Sequence, residues 1–481
     1  MTTWLPDLSK RNGPRYRAIA EALRSDIAEG RLGAGVRLPT HRDLAYRLGV
    51  TVGTVTRAYA EAERSGLVAG TVGRGTFVRG DQDVTAGHLA AFPYPAIEAA
   101  GFEGDVIELS RNFPASGEEG PVIAKLLAEV AAAPTFSNLL DYQPHAGMAA
   151  HRMAGSRWVA RAGLHAPAER IVVTGGGQYG ISMALGSIAE PGDVILTEAL
   201  TYPGLTALGR LLKLRVIGVP IDEDGLRPDA LEAALRFGRV KALYLVPTLH
   251  NPTTRIMSEA RRRQIAAIAS AHDIVVIEDD AYGFLVSDAP PAIANFAPDQ
   301  TIHLTSTSKS LAPGLRIGHA LVPERLIGGM LATMRATSWM ASPVMAEVVS
   351  RAIMDGTAER LAQAKRREAA ARQEMAHRLL QGVHLETKPT SFHIWLSLPE
   401  PWRSQEFAEA ARRQGVAISP ADAFATTDRS GGRVAVPAAV RISVGGVKSR
   451  ELLAKGLNIL ARLAAQRPAP ARIVDPYLSI V

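Results

Sequence analysis

The chain contains no cysteine, which excludes disulfide staples and thiolate-bound metals. No apolar run approaches the ~20 residues that a membrane-spanning helix needs. Its start, Met1 to Lys10, holds no apolar signal region. His145, His151, His250 and His303 show no metal-ligand spacing. A cytoplasmic protein with no membrane partner is therefore the expectation. At 481 residues the chain is too long for one core, since domains usually take ~100–200 residues.

Positive charge is abundant at one end only. Residues 1–80 hold 13 Lys and Arg against 7 Asp and Glu, a balance of +6 within a whole-chain +7. Such asymmetry points to a polyanionic partner there, with a merely solvated basic face as the alternative. Tyr16, Ile19, Ala20, Leu23 and Ile27 fall at helical spacing before Gly30. Thr40 is placed to cap a short helix carrying Leu44 and Leu48, Gly49 breaks it, and Thr51 is placed to cap a second helix from about Val52 to Arg64. The pair reads as helix-turn-helix, with Thr51, Thr54 and Arg57 presented from the early turns of the second helix. Leu67–Ala69 and Thr76–Val78 read as the two strands of a wing around Gly73-Arg74-Gly75.

Gly35-Val36-Arg37-Leu38-Pro39-Thr40-His41-Arg42-Asp43-Leu44-Ala45 and Gly73-Arg74-Gly75-Thr76-Phe77-Val78 resemble, in register, the winged head of GntR-type regulators. The resemblance implies a DNA-binding domain over residues 12–80. It implies Arg37, Thr40, Arg42 and Arg57 at phosphates or bases, and Arg74 near a groove. Phosphate contacts would set affinity and a few side chains would read sequence. Arg47 and Arg64 read as surface residues.

Residues 81–105 have little periodicity and several chain breakers, and read as a linker. Beyond them, Ile171–Val173, Val194–Leu196, Val216–Val219, Ala242–Val246, Ile274–Ile277 and Thr301–Leu304 alternate with helical patterns. That alternation predicts an α/β domain around a mostly parallel sheet over 106–355. A long helix over Ala358–Leu380, with strands near Ser391–Leu398 and Val440–Val444, predicts a smaller α+β domain over 356–465, followed by a loose tail over 466–481.

The chemistry concentrates at predicted strand ends. Thr305-Ser306-Thr307-Ser308-Lys309 sets a lysine among hydroxyls, with Arg316 seven residues on, a pattern suited to an aldehyde held as an imine beside a phosphate. Gly175-Gly176-Gly177-Gln178-Tyr179-Gly180 follows a strand and opens a helix, so its free amides can face a phosphate. The same segment matches a dinucleotide fingerprint, with Glu198 where a ribose-binding acid would stand, but that reading gives Lys309 no role. Ser306–Lys309 also matches the S-x-x-K of serine β-lactamases, yet no S-D-N or K-T-G triplet accompanies it.

Together these segments resemble fold-type-I aminotransferases over roughly residues 106–462, which implies pyridoxal 5′-phosphate as cofactor. Lys309 corresponds to the lysine that forms the Schiff base, and Ser306, Ser308 and Arg316 to phosphate ligands, with Gly177 and Gln178 at the helix opening. Asp279 of Glu278-Asp279-Asp280-Ala281-Tyr282 corresponds to the partner of the pyridine nitrogen, which preserves the ring as an electron sink. Tyr282 and Asn251 correspond to ligands of the ring's phenolic oxygen, and Tyr202 to the aromatic that stacks on the ring. Arg441 corresponds to the arginine that forks onto an effector or substrate carboxylate. Tyr142 corresponds to a phosphate contact supplied by a neighbouring subunit. Two positions depart from the family pattern: Thr254 stands where a glycine follows Asn-Pro-Thr, and Gly177 stands where a serine precedes Gln178.

A GntR-like head on an aminotransferase-like body resembles the MocR subfamily of bacterial regulators. The resemblance implies a homodimeric transcription factor that binds double-stranded DNA at repeated half-sites and senses an amino-acid or amine effector through imine exchange at Lys309. The alternatives are a working aminotransferase carrying a DNA-binding head, and a cofactor-free dimerisation scaffold.

Overall fold

The computed structural model describes residues 4–8, 14–28, 31–33, 36–64, 67–71, 75–78, 106–115, 117–236 and 238–466. Arg74, the expected linker 81–105 and the tail from 467 onward lie outside the described residues. The chain divides into two units, Met1–Ile97 and Glu98–Val481.

The first unit contains α1 (Arg15–Ala28), α2 (His41–Leu48), α3 (Val52–Arg64), β1 (Val68–Thr71) and β2 (Gly75–Val78). Local chemistry sets the helix boundaries. The Thr40 hydroxyl accepts from the Asp43 amide at 3.2 Å at the start of α2, and Gly49 ends that helix in the left-handed region at φ 62°. Apolar spacing then packs Ile19, Leu23, Leu44, Val55 and Tyr59 around one core with Val68 and Val78. β1 and β2 pair antiparallel, Val68 opposite Val78. The first wing strand starts one residue later and ends two residues later than the sequence pattern suggests.

The second unit opens on β3 (Ile107–Glu108) and is built on a seven-stranded sheet. In chain order its strands are β4 (Ile171–Thr174), β5 (Val194–Glu198), β6 (Arg215–Val219), β7 (Val240–Leu245), β8 (Val275–Asp279), β9 (Thr301–Ser306) and β10 (Gly318–Leu321). Their spatial order is β4-β10-β9-β8-β7-β5-β6. Alternate residues of the central strands enter different cores. Ile195, Ala242, Tyr244 and Ile277 pack with one cluster, and Val194, Leu196, Leu243, Leu245 and Val276 with another. Both faces are thus covered, which is why these strands read as continuous apolar runs.

Only β10 runs antiparallel to its neighbours, between β9 and β4. Gly318 faces Ser306 on one side and Thr174 on the other, which levels the ends of β4 and β9. A side chain at Gly318 would meet Thr174 Oγ1 at 2.7 Å and the Thr305 carbonyl at 2.9 Å, so the approach requires glycine.

A 23-residue helix, Thr357–Leu379, leads to an antiparallel sheet ordered Leu385–Glu386, His393–Ser397, Ala439–Ser443, Ser419–Pro420. β3 pairs parallel with Val416–Ala417, and Ile107 and Leu109 pack with Val416, Ile418, Leu453 and Leu457. The first residues of this unit therefore join the core of its C-terminal part, a long-range pairing the sequence does not announce. Among the described residues no helix is long and apolar enough to cross a membrane.

Candidate functional site

In the first unit, Arg37, Thr40, Arg42, Thr51 and Arg57 are exposed and Thr54 is half-buried. Thr51 caps α3, accepting from the Thr54 amide at 3.2 Å, and the two hydroxyls pair at 2.9 Å. Arg37 bridges to Phe77 of the wing strand. The Arg57 guanidinium stacks over Tyr16 at 4.2 Å from the ring centroid, which steadies a long side chain on the exposed side of α3. His41, given no role by sequence, joins α2 to α3 through Thr56 Oγ1 at 3.1 Å.

In the second unit, chemistry gathers at the carboxyl ends of the parallel strands, where open α/β sheets bind ligands. β4 ends at Thr174, and α4 (Gly177–Ile188) starts three residues later behind Gly176 at φ 95°. β9 ends at Ser306, whose hydroxyl accepts from the Ser308 amide at 3.2 Å and pairs with Ser308 Oγ at 3.0 Å. Arg316, itself left-handed at φ 53°, reaches Ser308 Oγ at 3.4 Å and the Gly175 carbonyl at 3.1 Å. Gly176, Gly177, Ser306, Ser308 and Arg316 thus converge, and among the described residues no carboxylate pairs with Arg316. Gln178 turns aside: its Nε2 donates to the Gly204 carbonyl at 3.0 Å, and its Oε1 is buried without a partner. Tyr202 is half-buried beside Gly204, where any side chain would collide with its ring.

Lys309 lies deeper. Its ammonium donates to the Asn112 carbonyl, and burial, then the Arg441 charge, push its pKa down to about 8. Asp279, ending β8, is pushed up by burial, while the Tyr244 hydroxyl, donating to Oδ2 at 2.6 Å, favours the charged form. Tyr282 is buried and accepts from Asn112 Nδ2 at 2.9 Å. Arg441 is 0% exposed; it donates to Asn251 Oδ1 at 2.8 Å, to Ser419 Oγ at 3.3 Å and to the Ser110 carbonyl, and its Nε has no partner.

Tyr142 does not join these groups. It is 81% exposed and lies against Trp339 with ring centroids 5.5 Å apart. Thr254 holds φ 65° while buried, so a β-branched residue occupies a conformation that glycine adopts without strain. Sequence reading missed Tyr244, Asn112, Ser110 and His393, since a tyrosine inside a strand and an asparagine in a loop carry no motif.

The donor set fits pyridoxal phosphate. Helix-opening amides, two serine hydroxyls and an arginine without a carboxylate partner suit a dianion. The half-buried Asp279 suits a protonated ring nitrogen, and a half-buried lysine with depressed pKa suits condensation with an aldehyde. The dinucleotide alternative fails on Glu198. Its carboxylate is 2% exposed, accepts from the Val246 amide and Thr197 Oγ1 at 3.1 Å each, and cannot reach a ribose.

A cavity of about 510 Å³ is lined by Asp280, Glu278 and His303 together with Arg161, Arg262 and Arg366. His303 lies 3.3 Å from Glu278 and 3.6 Å from Asp280. This ionic cluster sits one residue from Asp279, and within it the His303 charge favours the ionised form of that carboxylate.

Two families match. Residues 15–78 match the bacterial regulatory proteins of the gntR family, and residues 104–455 match aminotransferase class I and II. The chain is 33% identical over 461 residues to the uncharacterized HTH-type transcriptional regulator YdeF of Bacillus subtilis, covering 96% of each chain. Its body is similar to the Pyrococcus horikoshii kynurenine aminotransferase crystallised with PMP (TM-score 0.68, 26% identity, 76% of this chain and 91% of that one). It is also similar to the Thermus thermophilus α-aminoadipate aminotransferase LysN bound to N-(5′-phosphopyridoxyl)-L-leucine (TM-score 0.65, 25% identity, 77% and 95%).

Proposed function

Because the chain belongs to the regulators of MocR-like architecture, a gntR-family head fused to an aminotransferase class I and II body, we propose that it senses an amine-bearing carboxylate at Lys309 and Arg441 and answers by changing its affinity for operator DNA. Pyridoxal phosphate, when bound, supplies a carbonyl that exchanges the Lys309 amine for that of the effector. Ser306, Ser308, Arg316 and the Gly176–Gly177 amides hold its phosphate. Asp279, kept ionised with help from Tyr244, holds the proton of the ring nitrogen. Tyr202 covers the ring, while Tyr282 and Asn251 face its phenolic oxygen. Arg441 receives the effector carboxylate.

One observation carries the sensing step. Two of the site's cations are bonded to backbone carbonyls of a single short segment, Lys309 to Asn112 and Arg441 to Ser110. That segment continues in sequence through 79–105 to the DNA-binding unit. With the coenzyme bound, its carbonyl would take up the Lys309 amine, and effector exchange would return that amine while the effector carboxylate would draw on Arg441, so both bonds to the segment would change with the ligand state. Effector affinity then differs between two states of the segment, which is the requirement for coupling.

The working unit is a homodimer reading two half-sites. Leu140, Tyr142 and Trp339, 67%, 81% and 44% exposed, supply an apolar face beside Met340 and Gln143 for the second copy, and Tyr142 reaches the partner's phosphate site.

A second reading, slow transamination, is favoured by the depressed pKa of Lys309, since a free amine there can also shuttle a proton. The deciding experiment measures DNA affinity of the full chain at fixed salt, with and without pyridoxal phosphate, across a panel of amino acids and amines. The sensing reading expects an effector-dependent change that Arg441→Ala removes. Unchanged DNA affinity across the panel, with amino transfer to a keto acid at ordinary enzyme rates, would replace it by the enzyme reading.

A further inference from the structure

Asn112 belongs to none of the motifs, yet its side chain is buried in the middle of the site. Its role follows from the histidine beside it. His393 Nε2 lies 3.1 Å from the His250 carbonyl; a carbonyl oxygen only accepts, so Nε2 carries a proton. Burial, then the Arg441 charge, lower His393 to about 3, so near neutral pH the ring holds that one proton and Nδ1 is a bare acceptor. Nδ1 lies 3.0 Å from the Asn112 amide nitrogen, the orientation an acceptor requires, and Ser391 Oγ at 3.4 Å is a second donor to it. The same Asn112 nitrogen lies 2.9 Å from Tyr282 Oη. Its second hydrogen goes there, so Tyr282 accepts from Asn112 and must aim its own proton elsewhere.

We propose that Asn112 is a positioning residue: by donating to Tyr282 it turns the Tyr282 hydroxyl proton toward the phenolic oxygen of the coenzyme. The inference rests on the pyridoxal-phosphate reading above and deepens it. A chain of donors running His393 to His250, Asn112 to His393 and Asn112 to Tyr282 fixes which side of the Tyr282 oxygen accepts. A hydrogen bond to the phenolic oxygen favours its anionic form and so lowers the pKa of the bound chromophore. The other charged groups facing this corner are Lys309, Arg441 and Asp279, and Asn112→Ala adds or removes no charge among them.

The test titrates the absorbance of the full chain loaded with pyridoxal phosphate against pH. Asn112→Ala raises the apparent pKa of the chromophore by about 0.5–1 unit, the scale of one weakened hydrogen bond. Asn112→Asp, nearly the same shape, raises it further, because a carboxylate takes the Tyr282 proton for itself. In a Tyr282→Phe background, Asn112→Ala adds no further shift, as required of a residue acting through Tyr282. A role in packing alone would lower the melting temperature and leave the titration where wild type has it, and that result overturns the proposal. So does an equal shift with and without Tyr282. If the alanine variant does not fold, Asn112→Asp is compared in the wild-type and Tyr282→Phe backgrounds, and an equal shift in both, the signature of charge alone, overturns the proposal. Absorbance that does not depend on Lys309 would defeat the coenzyme reading itself. Lys309-dependent absorbance with an unmoved titration defeats only the assignment of Asn112.

Discussion

The Arg316 guanidinium occupies the space that a side chain on Gly176 would need: a Cβ there would lie 2.7 Å from Nη2 and 2.9 Å from Cζ. Gly176 also holds φ 95° and ψ 171°, a region essentially reserved for glycine. One residue therefore meets two demands, opening α4 toward a ligand and admitting the arginine. Gly176→Ala is expected to cost roughly 1–3 kcal/mol of stability and to weaken pyridoxal-phosphate binding by about tenfold or more, as ~1.4 kcal/mol implies. Thermal melting and absorbance titration check both effects. Wild-type coenzyme affinity would take the Gly176–Arg316 contact out of the phosphate site.

Tyr244→Phe removes the donor to Asp279 and leaves a half-buried carboxylate one bond short, a loss of roughly 1–3 kcal/mol. The hydroxyl favours the ionised carboxylate, so without it the folded-state pKa of Asp279 rises further. A group raised in the folded state loses stability as pH climbs past its unfolded value. The deficit of the variant should therefore be larger at pH 8 than at pH 4, and a deficit independent of pH would contradict the assignment.

Glu198 gives a second pH test. Burial raises its pKa from 4.5 to about 7, so wild type loses this group's contribution as pH rises from 4.5 through 7. Glutamine keeps an acceptor for the Val246 amide, can donate its own amide N–H to Thr197 Oγ1, and never ionises. Relative to wild type, Glu198→Gln should gain on the order of 2–3 kcal/mol between pH 4 and pH 8. Parallel stability curves would show that Glu198 does not titrate in this window.

On the DNA side, Arg42 is exposed at the start of α2. If it neutralises a phosphate, Arg42→Ala weakens operator binding and makes the slope of log K against log salt shallower by about 0.9. The same affinity loss with an unchanged slope would move Arg42 from the backbone to a base.

Much of this protein is legible in one dimension because its physics is local. Thr40 and Thr51 mark their helices through bonds only three residues long, and the buried strands show as apolar runs because both sheet faces are covered. Lys309, Ser306, Ser308 and Arg316 sit within eleven residues of one another in the chain, so their grouping needs no tertiary knowledge. Less was legible where partners come from distant chain. Tyr244 meets Asp279 across 35 positions, Asn112 meets Tyr282 across 170, and Arg441 meets Ser110 across 331. Gln178 carries a family motif, yet its side chain faces Gly204.

The sequence by itself determined the two-part plan, the strand and helix types and the residues able to hold a phosphate and an aldehyde, since propensity, capping and apolar period act over a few residues. Only the tertiary structure decided what those groups do to one another. Burial, which no local pattern reports, depressed Lys309, raised Asp279 and kept His393 neutral. The pairing of β3 with Val416–Ala417 carried Ser110 and Asn112 to the site, where their carbonyls meet Arg441 and Lys309.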